Sequence, residues 1–206
     1  RSNKMMKKSK RSDVDPFIVM DVMESARIAE EKGKDIIHME VGQPGTPAPK
    51  IAKDYITNEI NKNNLGYTVS LGLPALRTKI SKLYGDWYNL DLNPNRIVVT
   101  TGSSGAFILS FSALFDSGDR VGIGSPSYPS YRQILKSLSL ETVDIQTKLQ
   151  NRFQPVPEDI TNNNLNGILV ASPANPTGSM LDKQSLENLI NTANENNVSF
   201  ISDEIY

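Results

Sequence analysis

In the N-terminal part of the chain, apolar positions recur at helical spacing, interrupted by extended segments. The spacing from Val19 to Lys32 predicts a helix that ends at Gly33. The remaining predictions for this part are a disordered start over residues 1–15, a strand over 36–41, loops over 42–49 and 65–73, and helices over 51–61 and from Pro74 to about Asn89.

After Asn89 the pattern changes, and short β-branched runs alternate with helical stretches. The predicted strands cover residues 97–100, 121–123, 142–145, 167–171 and 198–202. The predicted helices run from after the Gly102-Ser103-Ser104 turn to Phe115, over 128–138 and over 182–196. Such alternation is typical of an α/β fold with a mostly parallel sheet and helices on both faces. Ligands of such sheets bind beyond the carboxyl ends of the strands.

Composition excludes several classes of protein. The 22 Lys and Arg balance 23 Asp and Glu, giving a net charge of −1, which argues against nucleic-acid binding by bulk positive charge. The absence of cysteine excludes disulfides, thiolate zinc sites and cysteine nucleophiles, and the one histidine, His38, leaves no His-rich metal site. No apolar run approaches the ~20 residues of a membrane span, so we expect a soluble, cytoplasmic protein that binds no metal or membrane.

The turn after the strand predicted at 97–100 is a candidate phosphate site. Gly102 precedes a helix whose first backbone N–H groups and dipole suit an anion, and Ser103 and Ser104 add hydroxyl donors. A simple serine N-cap would explain the same residues.

Polar and aromatic residues follow three further strands. Asp203 follows an apolar strand, so its partly buried carboxylate requires a cationic partner unless it caps a loop. Tyr128 can stack on a flat ring, and Asn175 and Tyr206 can hydrogen-bond a ligand oxygen, although each also suits an ordinary turn or surface position. Together with the Gly102 turn, these residues suit a phosphorylated, planar, cationic heteroaromatic ligand. Pyridoxal 5′-phosphate meets each requirement.

Six short motifs, in order along the chain, carry a family resemblance. They are Val-Gly-Gln-Pro at 41–44, Gly-Tyr-Thr through Gly-Leu-Pro-Ala-Leu-Arg at 66–77, Thr-Gly-Ser-Ser-Gly-Ala at 101–106, Pro-Ser-Tyr-Pro at 126–129, Asn-Pro-Thr-Gly at 175–178 and Ser-Asp-Glu-Ile-Tyr at 202–206. In these motifs the chain resembles the N-terminal half of the fold-type I, class I/II aminotransferases, which depend on pyridoxal phosphate.

The resemblance implies a role for each cofactor residue. Ser103 and Ser104 would bind the phosphate, and Tyr128 would stack on the pyridine ring. Asp203 would keep the ring nitrogen protonated, so that the ring can act as an electron sink.

The resemblance implies further contacts to the ring oxygen, the substrate and a second subunit. Asn175 and Tyr206 would bond the phenolic oxygen of the cofactor, and Gly42 would lie against the substrate carboxylate. Tyr67 would reach the phosphate of the cofactor in a neighbouring subunit, which implies a homodimer.

One departure from the family concerns the catalytic lysine. In the family it follows a later strand, beyond the Asp-x-x-Tyr motif, and Lys136 and Lys148 lack that context, so we expect no catalytic residue in this chain. The expectation is a truncated aminotransferase that does not transaminate alone. Its expected parts are a disordered tail over 1–16, a segment of the small domain over 17–45 and an incomplete cofactor domain over 46–206.

The expected reaction moves an amino group between an amino acid and a 2-oxo acid. Related enzymes with the same motifs, such as C–S lyases and aminocyclopropane-carboxylate synthases, remain alternatives, as does an inactive fragment with a binding role. Some transcription regulators carry an aminotransferase-like domain behind a winged helix, but nothing before Phe17 resembles one. For His38 we expect a structural role.

Overall fold

The computed structural model describes residues 6–206. Residues 1–5, which are part of the predicted disordered tail, lie outside the described residues. The helices are α1 (Ile18–Glu31), α2 (Lys50–Ile60), α3 (Pro74–Tyr88), α4 (Gly102–Leu114), α5 (Pro129–Ser137), α6 (Pro157–Asn162) and α7 (Lys183–Glu195). The strands are β1 (Arg120–Ser125), β2 (Glu141–Gln146), β3 (Gly167–Ala171) and β4 (Ser199–Asp203). Among the described residues, none of the helices combines the length and apolar character that a bilayer span requires.

The described residues form two compact units. The first contains residues 6–17 together with residues 102–206, and the second contains residues 18–101. The domain boundaries expected from the sequence divide the chain elsewhere and remain predictions.

The first unit is built on a four-stranded parallel sheet in the order β2-β1-β3-β4. From β1 the chain moves outward to β2, and it then returns to the other side of β1 to form β3. The space between the carboxyl ends of β1 and β3 is therefore a topological switch point, where parallel sheets bind their ligands.

Helices cover both faces of this sheet, as the alternation of elements predicted. Successive side chains of a strand point to opposite faces, so neighbouring residues of β3 enter different cores. One core combines α4 and α5 with the strands through Phe107, Phe111, Val121, Ile123, Tyr131, Leu135 and Leu169. The other combines α6 and α7 with the opposite face through Ile145, Ile160, Ile168, Val170, Leu189 and Ala193.

The start of β3 requires a residue without a side chain. A Cβ atom at Gly167 would lie 2.2 Å from the ring of Phe115, which follows α4 and packs against the first core. Close packing at this point therefore depends on glycine.

The second unit contains α1, α2 and α3. Gly33 has a φ of +78°, and Lys34 N–H donates to the carbonyl of Ala29 at 3.1 Å, so α1 ends in a Schellman motif. This agrees with the helix end predicted at Gly33. Pro74 occupies the first turn of α3, and the buried Arg77 donates to the carbonyl of Pro94 at 3.1 Å.

Nine predicted elements agree with the observed ones to within two residues at each end, and the helix predicted after Ser104 begins earlier, at Gly102. The predicted strands at 36–41 and 97–100 are wrong. Ile37 and Met39 are 86% and 87% exposed, and Val99 N–H bonds the loop carbonyl of Leu71 at 3.0 Å. A β-branched run favours extended backbone, but a strand also needs to pair with a neighbouring strand in a ladder, and within residues 6–206 neither segment does so. The short helix α6 was not predicted.

Candidate functional site

A cavity of about 200 Å³ lies at the carboxyl ends of the strands of the first unit. Its lining residues are Ser103, Tyr128, Tyr131, Asn175, Asp203, Ile205 and Tyr206. They come from the start of α4 and from the segments at the ends of β1, β3 and β4, so the cavity occupies the edge of the sheet that contains the switch point.

The N-terminus of α4, with its two serines, forms one wall of the cavity. Gly102 has a φ of +73°, which favours glycine, and a Cβ atom there would meet open space. Ser103 and Ser104 follow in the first helical turn, and Ser103 lines the cavity. The first backbone N–H groups of a helix have no intrahelical acceptor, so this turn can bind an anion.

Asp203 provides the carboxylate of the cavity. It is the last residue of β4 and is half-buried. Its Oδ2 atom accepts a hydrogen bond from the phenol of Tyr131, which is 2% exposed. Burial, and then the hydrogen bond to Asp203, raise the pKa of Tyr131 well above its usual value, so its phenol stays protonated.

Two aromatic residues pack against the ring of Tyr128, and a third packs against one of these two. Tyr128 is the N-cap of α5, and its ring packs edge-on against Tyr131, with 5.5 Å between ring centroids. Phe17 approaches Tyr128 from another direction, also edge-on, at 5.8 Å. Phe107 of α4 packs edge-on against Tyr131 at 5.2 Å. These contacts restrict the orientation of the Tyr128 ring on the cavity wall.

Asn175 lies in the loop that follows β3, and a buried glutamine ties that loop to the strand. Gln154 is 3% exposed, and its Nε2 atom donates to the carbonyl oxygens of Ala171 and Ser179, each at 3.1 Å. These two carbonyl groups lie on either side of Asn175, so Gln154 restrains both ends of the loop.

Five of the site residues expected from the sequence therefore line one cavity: Ser103, Tyr128, Asn175, Asp203 and Tyr206. Ser104 lies beside the cavity in the first turn of α4 but does not line it. Gly42 and Tyr67 belong to the second unit, where Tyr67 is fully exposed and no atom lies within 4 Å of a Cβ atom built at Gly42. Lys136 and Lys148 are exposed.

Sequence reasoning missed Tyr131 and Gln154. Tyr131 lies three residues after Tyr128, so helical spacing could have placed both rings on one side of α5. Gln154 gave no signal, because its partners Ala171 and Ser179 are brought to it only by the tertiary fold.

The walls of the cavity offer different chemical groups to a ligand. The α4 turn offers hydroxyl and amide donors for an anion, and Asp203 offers an acceptor for a cationic N–H. Asn175 and Tyr206 offer an amide and a phenol as hydrogen-bond donors, and Tyr128 offers an aromatic face. This donor set suits a compact, phosphorylated, cationic aromatic ring such as that of pyridoxal phosphate.

Comparison with known proteins agrees with this chemistry. The family described as aminotransferase class I and II matches residues 34–206. A valine–pyruvate aminotransferase of Mycobacterium tuberculosis is 40% identical over 95% of this chain and 51% of its own length. An aspartate aminotransferase of Thermotoga maritima is 34% identical over 91% of this chain and 50% of its own length.

The fold is also shared with solved aminotransferases. The crystal structure of an aminotransferase from Mycobacterium tuberculosis superposes with a TM-score of 0.92 at 39% identity, covering 98% of this chain and 53% of that one. The chain thus spans about half the length of the curated relatives it matches. The match to the family over most of the chain, the shared fold and the cavity chemistry lead to one assignment: the chain belongs to the class I and II aminotransferases.

Proposed function

We propose that this chain forms the cofactor-binding part of a pyridoxal-phosphate-dependent aminotransferase that moves an amino group between an amino acid and a 2-oxo acid. The observation that carries the proposal is the position of Asp203 on the same cavity as Ser103, Tyr128 and Asn175. When bound, the cofactor supplies a protonated ring that withdraws electrons from the reacting carbon of the substrate.

In this proposal the α4 turn binds the phosphate. Ser103 and Ser104 donate hydroxyl and backbone N–H hydrogen bonds, and the positive end of the α4 dipole adds to the attraction. The open space above Gly102 lets an anion approach the backbone closely. The phosphate thereby anchors the ring at the edge of the sheet.

The other cavity residues orient the ring. Asp203 accepts a hydrogen bond from the pyridine nitrogen and keeps it protonated, because an adjacent carboxylate favours the charged form of a base. Asn175 and Tyr206 donate to the ring oxygen, and Tyr128 stacks on the ring face. Tyr128 is suited to this role because Phe17 and Tyr131 restrain its ring.

The roles of the second unit rest on the family resemblance. Gly42 lies against the substrate carboxylate, and the exposed Tyr67 reaches the cofactor phosphate of a second subunit in a homodimer. Amino acids and 2-oxo acids are the substrates, and the protein is cytoplasmic. Neither Lys136 nor Lys148 bonds the cofactor, so this chain binds it without catalysing transamination.

The test compares three forms of the 206-residue chain: the wild type, Asp203→Asn and the control Glu204→Gln. Glu204 is an exposed carboxylate beside Asp203 whose Oε1 accepts from the hydroxyl of Ser202 at 2.9 Å, so its variant makes the same chemical change outside the cavity. We expect Asp203→Asn to weaken binding of pyridoxine 5′-phosphate about 10- to 100-fold, because hydrogen bonds to charged groups contribute ~1.5–3 kcal/mol. Calorimetric titration measures the affinities.

Equal affinity of the three forms would contradict the proposed role of Asp203. In the complete product of the gene that encodes this chain, we expect Asp203→Ala to abolish nearly all turnover of amino acid and 2-oxo acid pairs. Turnover at the wild-type rate in that variant would show that the carboxylate is not needed for the electron-sink role.

A further inference from the structure

Tyr131 has a hydroxyl group that its packing does not explain. Its ring is buried between Phe107 and Tyr128, where a phenylalanine would make the same contacts. The hydroxyl instead reaches across the end of the sheet, from α5 to the end of β4, and donates to Oδ2 of Asp203. The two residues are 72 positions apart in the sequence, so only the tertiary fold creates this contact.

We propose that Tyr131 is a positioning residue for the cofactor site, whose hydroxyl holds the Asp203 carboxylate so that its other oxygen can accept a hydrogen bond from the pyridine nitrogen. This inference rests on the proposed function and extends it. Tyr131 acts through Asp203 rather than on the reacting atoms, although it also lines the cavity.

The first reason is geometric. The terminal torsion of an aspartate side chain has a broad, weakly restrained minimum, so a carboxylate at a strand end does not fix its own plane. A hydrogen bond from a rigid partner removes this freedom. Tyr131 is rigid because it is 2% exposed and lies between two aromatic rings.

The second reason is electrostatic. A hydrogen bond donated to a carboxylate favours its ionised form. When a pyridine nitrogen and a carboxylate share one proton, the Tyr131 hydroxyl therefore keeps that proton on the nitrogen. The phenol remains a donor throughout, because burial and the contact with Asp203 raise its pKa. Without the hydroxyl, the Asp203 carboxylate is less well oriented and its ionised form is less favoured. Both changes reduce the protonation of the ring nitrogen.

The experiment measures ring protonation instead of turnover. Pyridoxine 5′-phosphate with an isotope-labelled pyridine nitrogen is bound to the complete gene product, and the chemical shift of that nitrogen is measured by NMR at a fixed pH, because it reports whether the shared proton lies on the nitrogen or on Asp203. The variants are Tyr131→Phe and Asp203→Asn. Two controls are Tyr55→Phe, which removes an exposed hydroxyl from α2, and Phe111→Leu, which loosens the first core but leaves the Tyr131 hydroxyl in place.

At the same pH, we expect the nitrogen signal in Tyr131→Phe to shift toward that of an unprotonated pyridine, because the shared proton moves toward Asp203, with about tenfold weaker binding. Tyr55→Phe and Phe111→Leu retain the wild-type chemical shift, although Phe111→Leu melts at a lower temperature. A purely structural role of Tyr131 would instead make Tyr131→Phe behave like Phe111→Leu, and that result overturns the inference.

Failure of the proposed function gives a different pattern. If Tyr131→Phe matches the wild type while Asp203→Asn loses the ring proton, the role of Asp203 stands and that of Tyr131 is wrong. If Asp203→Asn also retains the proton, both are wrong. Should Tyr131→Phe not fold, a ring-fluorinated tyrosine at position 131 gives a more acidic phenol and a stronger hydrogen bond to Asp203, and the nitrogen signal must then shift further toward that of a protonated ring; an unchanged signal overturns the inference.

Discussion

His38 lies between two glutamate side chains of the second unit. Its Nδ1 atom is 2.7 Å from Glu40 and its Nε2 atom is 2.9 Å from Glu30, a residue of α1. The hydrogen bond to Glu40, and then the one to Glu30, raise the pKa of His38 to about 9. His38 therefore ties the extended chain after α1 back to that helix, in place of the strand that the sequence predicted there.

This contact sets a pH dependence for the second unit. Because the pKa of His38 is raised above the ~6.5 of an unfolded chain, the stabilisation is complete below about pH 6.5 and is lost as the pH rises through about 9. We expect an NMR titration of the His38 ring to show its midpoint near 9, and Glu30→Gln to lower that midpoint.

Glu31→Gln is the matched control, because Glu31 bonds Arg27 instead of His38. A midpoint near 6.5 in the wild type would show that the two carboxylates do not hold the histidine in solution.

Individual site residues were predictable where their position in the fold followed from local pattern. Asp203 and Asn175 follow apolar strands, and parallel strands end at one edge, so their approach to Ser103 could be expected. Tyr131 lies three positions after another tyrosine, Tyr128, so its place on α5 could be inferred. The partner of its hydroxyl could not, because Asp203 is brought to it only by the pairing of β3 with β4. Such partners are fixed by tertiary distance, which a single sequence does not contain.

Among the elements, the contact of β3 with the end of α4 gives a test of close packing. We expect Gly167→Ala to lower the free energy of unfolding by about 1–3 kcal/mol, because the added methyl group would lie only 2.2 Å from the ring of Phe115. Denaturant unfolding measures the loss. Gly124→Ala in β1 is the control, since a Cβ atom there lies 3.4 Å from its nearest neighbour, the methyl group of Thr147.

Phe115→Leu provides a second check on this contact. If the ring is the obstacle, Gly167→Ala costs less in the Phe115→Leu background than in the wild type. An equal cost in both backgrounds would assign the effect to the backbone of β3.

Helices and strands whose apolar residues recur at regular spacing were predictable from the sequence. Whether an extended segment pairs with a neighbouring strand was not. The four sheet strands and six of the helices carry their own pattern of apolar residues. The segments at 36–41 and 97–100 have the composition of strands, but their backbone remains outside any ladder within residues 6–206. Helix α6 spans only six residues and buries one of them, Ile160, which is too little to show a period.

At the scale of the whole molecule, the cavity residues all lie in the first unit. A bound ligand should therefore stabilise the first unit more than the second. We expect pyridoxine 5′-phosphate at 100 times its dissociation constant to stabilise the 206-residue chain by about 2.7 kcal/mol. Hydrogen exchange should slow at the ends of β1, β3 and β4 and at the start of α4. Slowing confined to residues 18–101 would place the ligand elsewhere.

The order of the strands along the chain also decides at what point of synthesis this cavity can form. Its walls come from α4 and from the ends of three strands, and the carboxylate enters only with β4. If the proposed cofactor site is right, a chain emerging from the ribosome cannot bind the cofactor until its fourth strand has been synthesised and has paired. Binding of the cofactor would then report that these four strands are assembled, because a chain arrested before Asp203 lacks the carboxylate of the site.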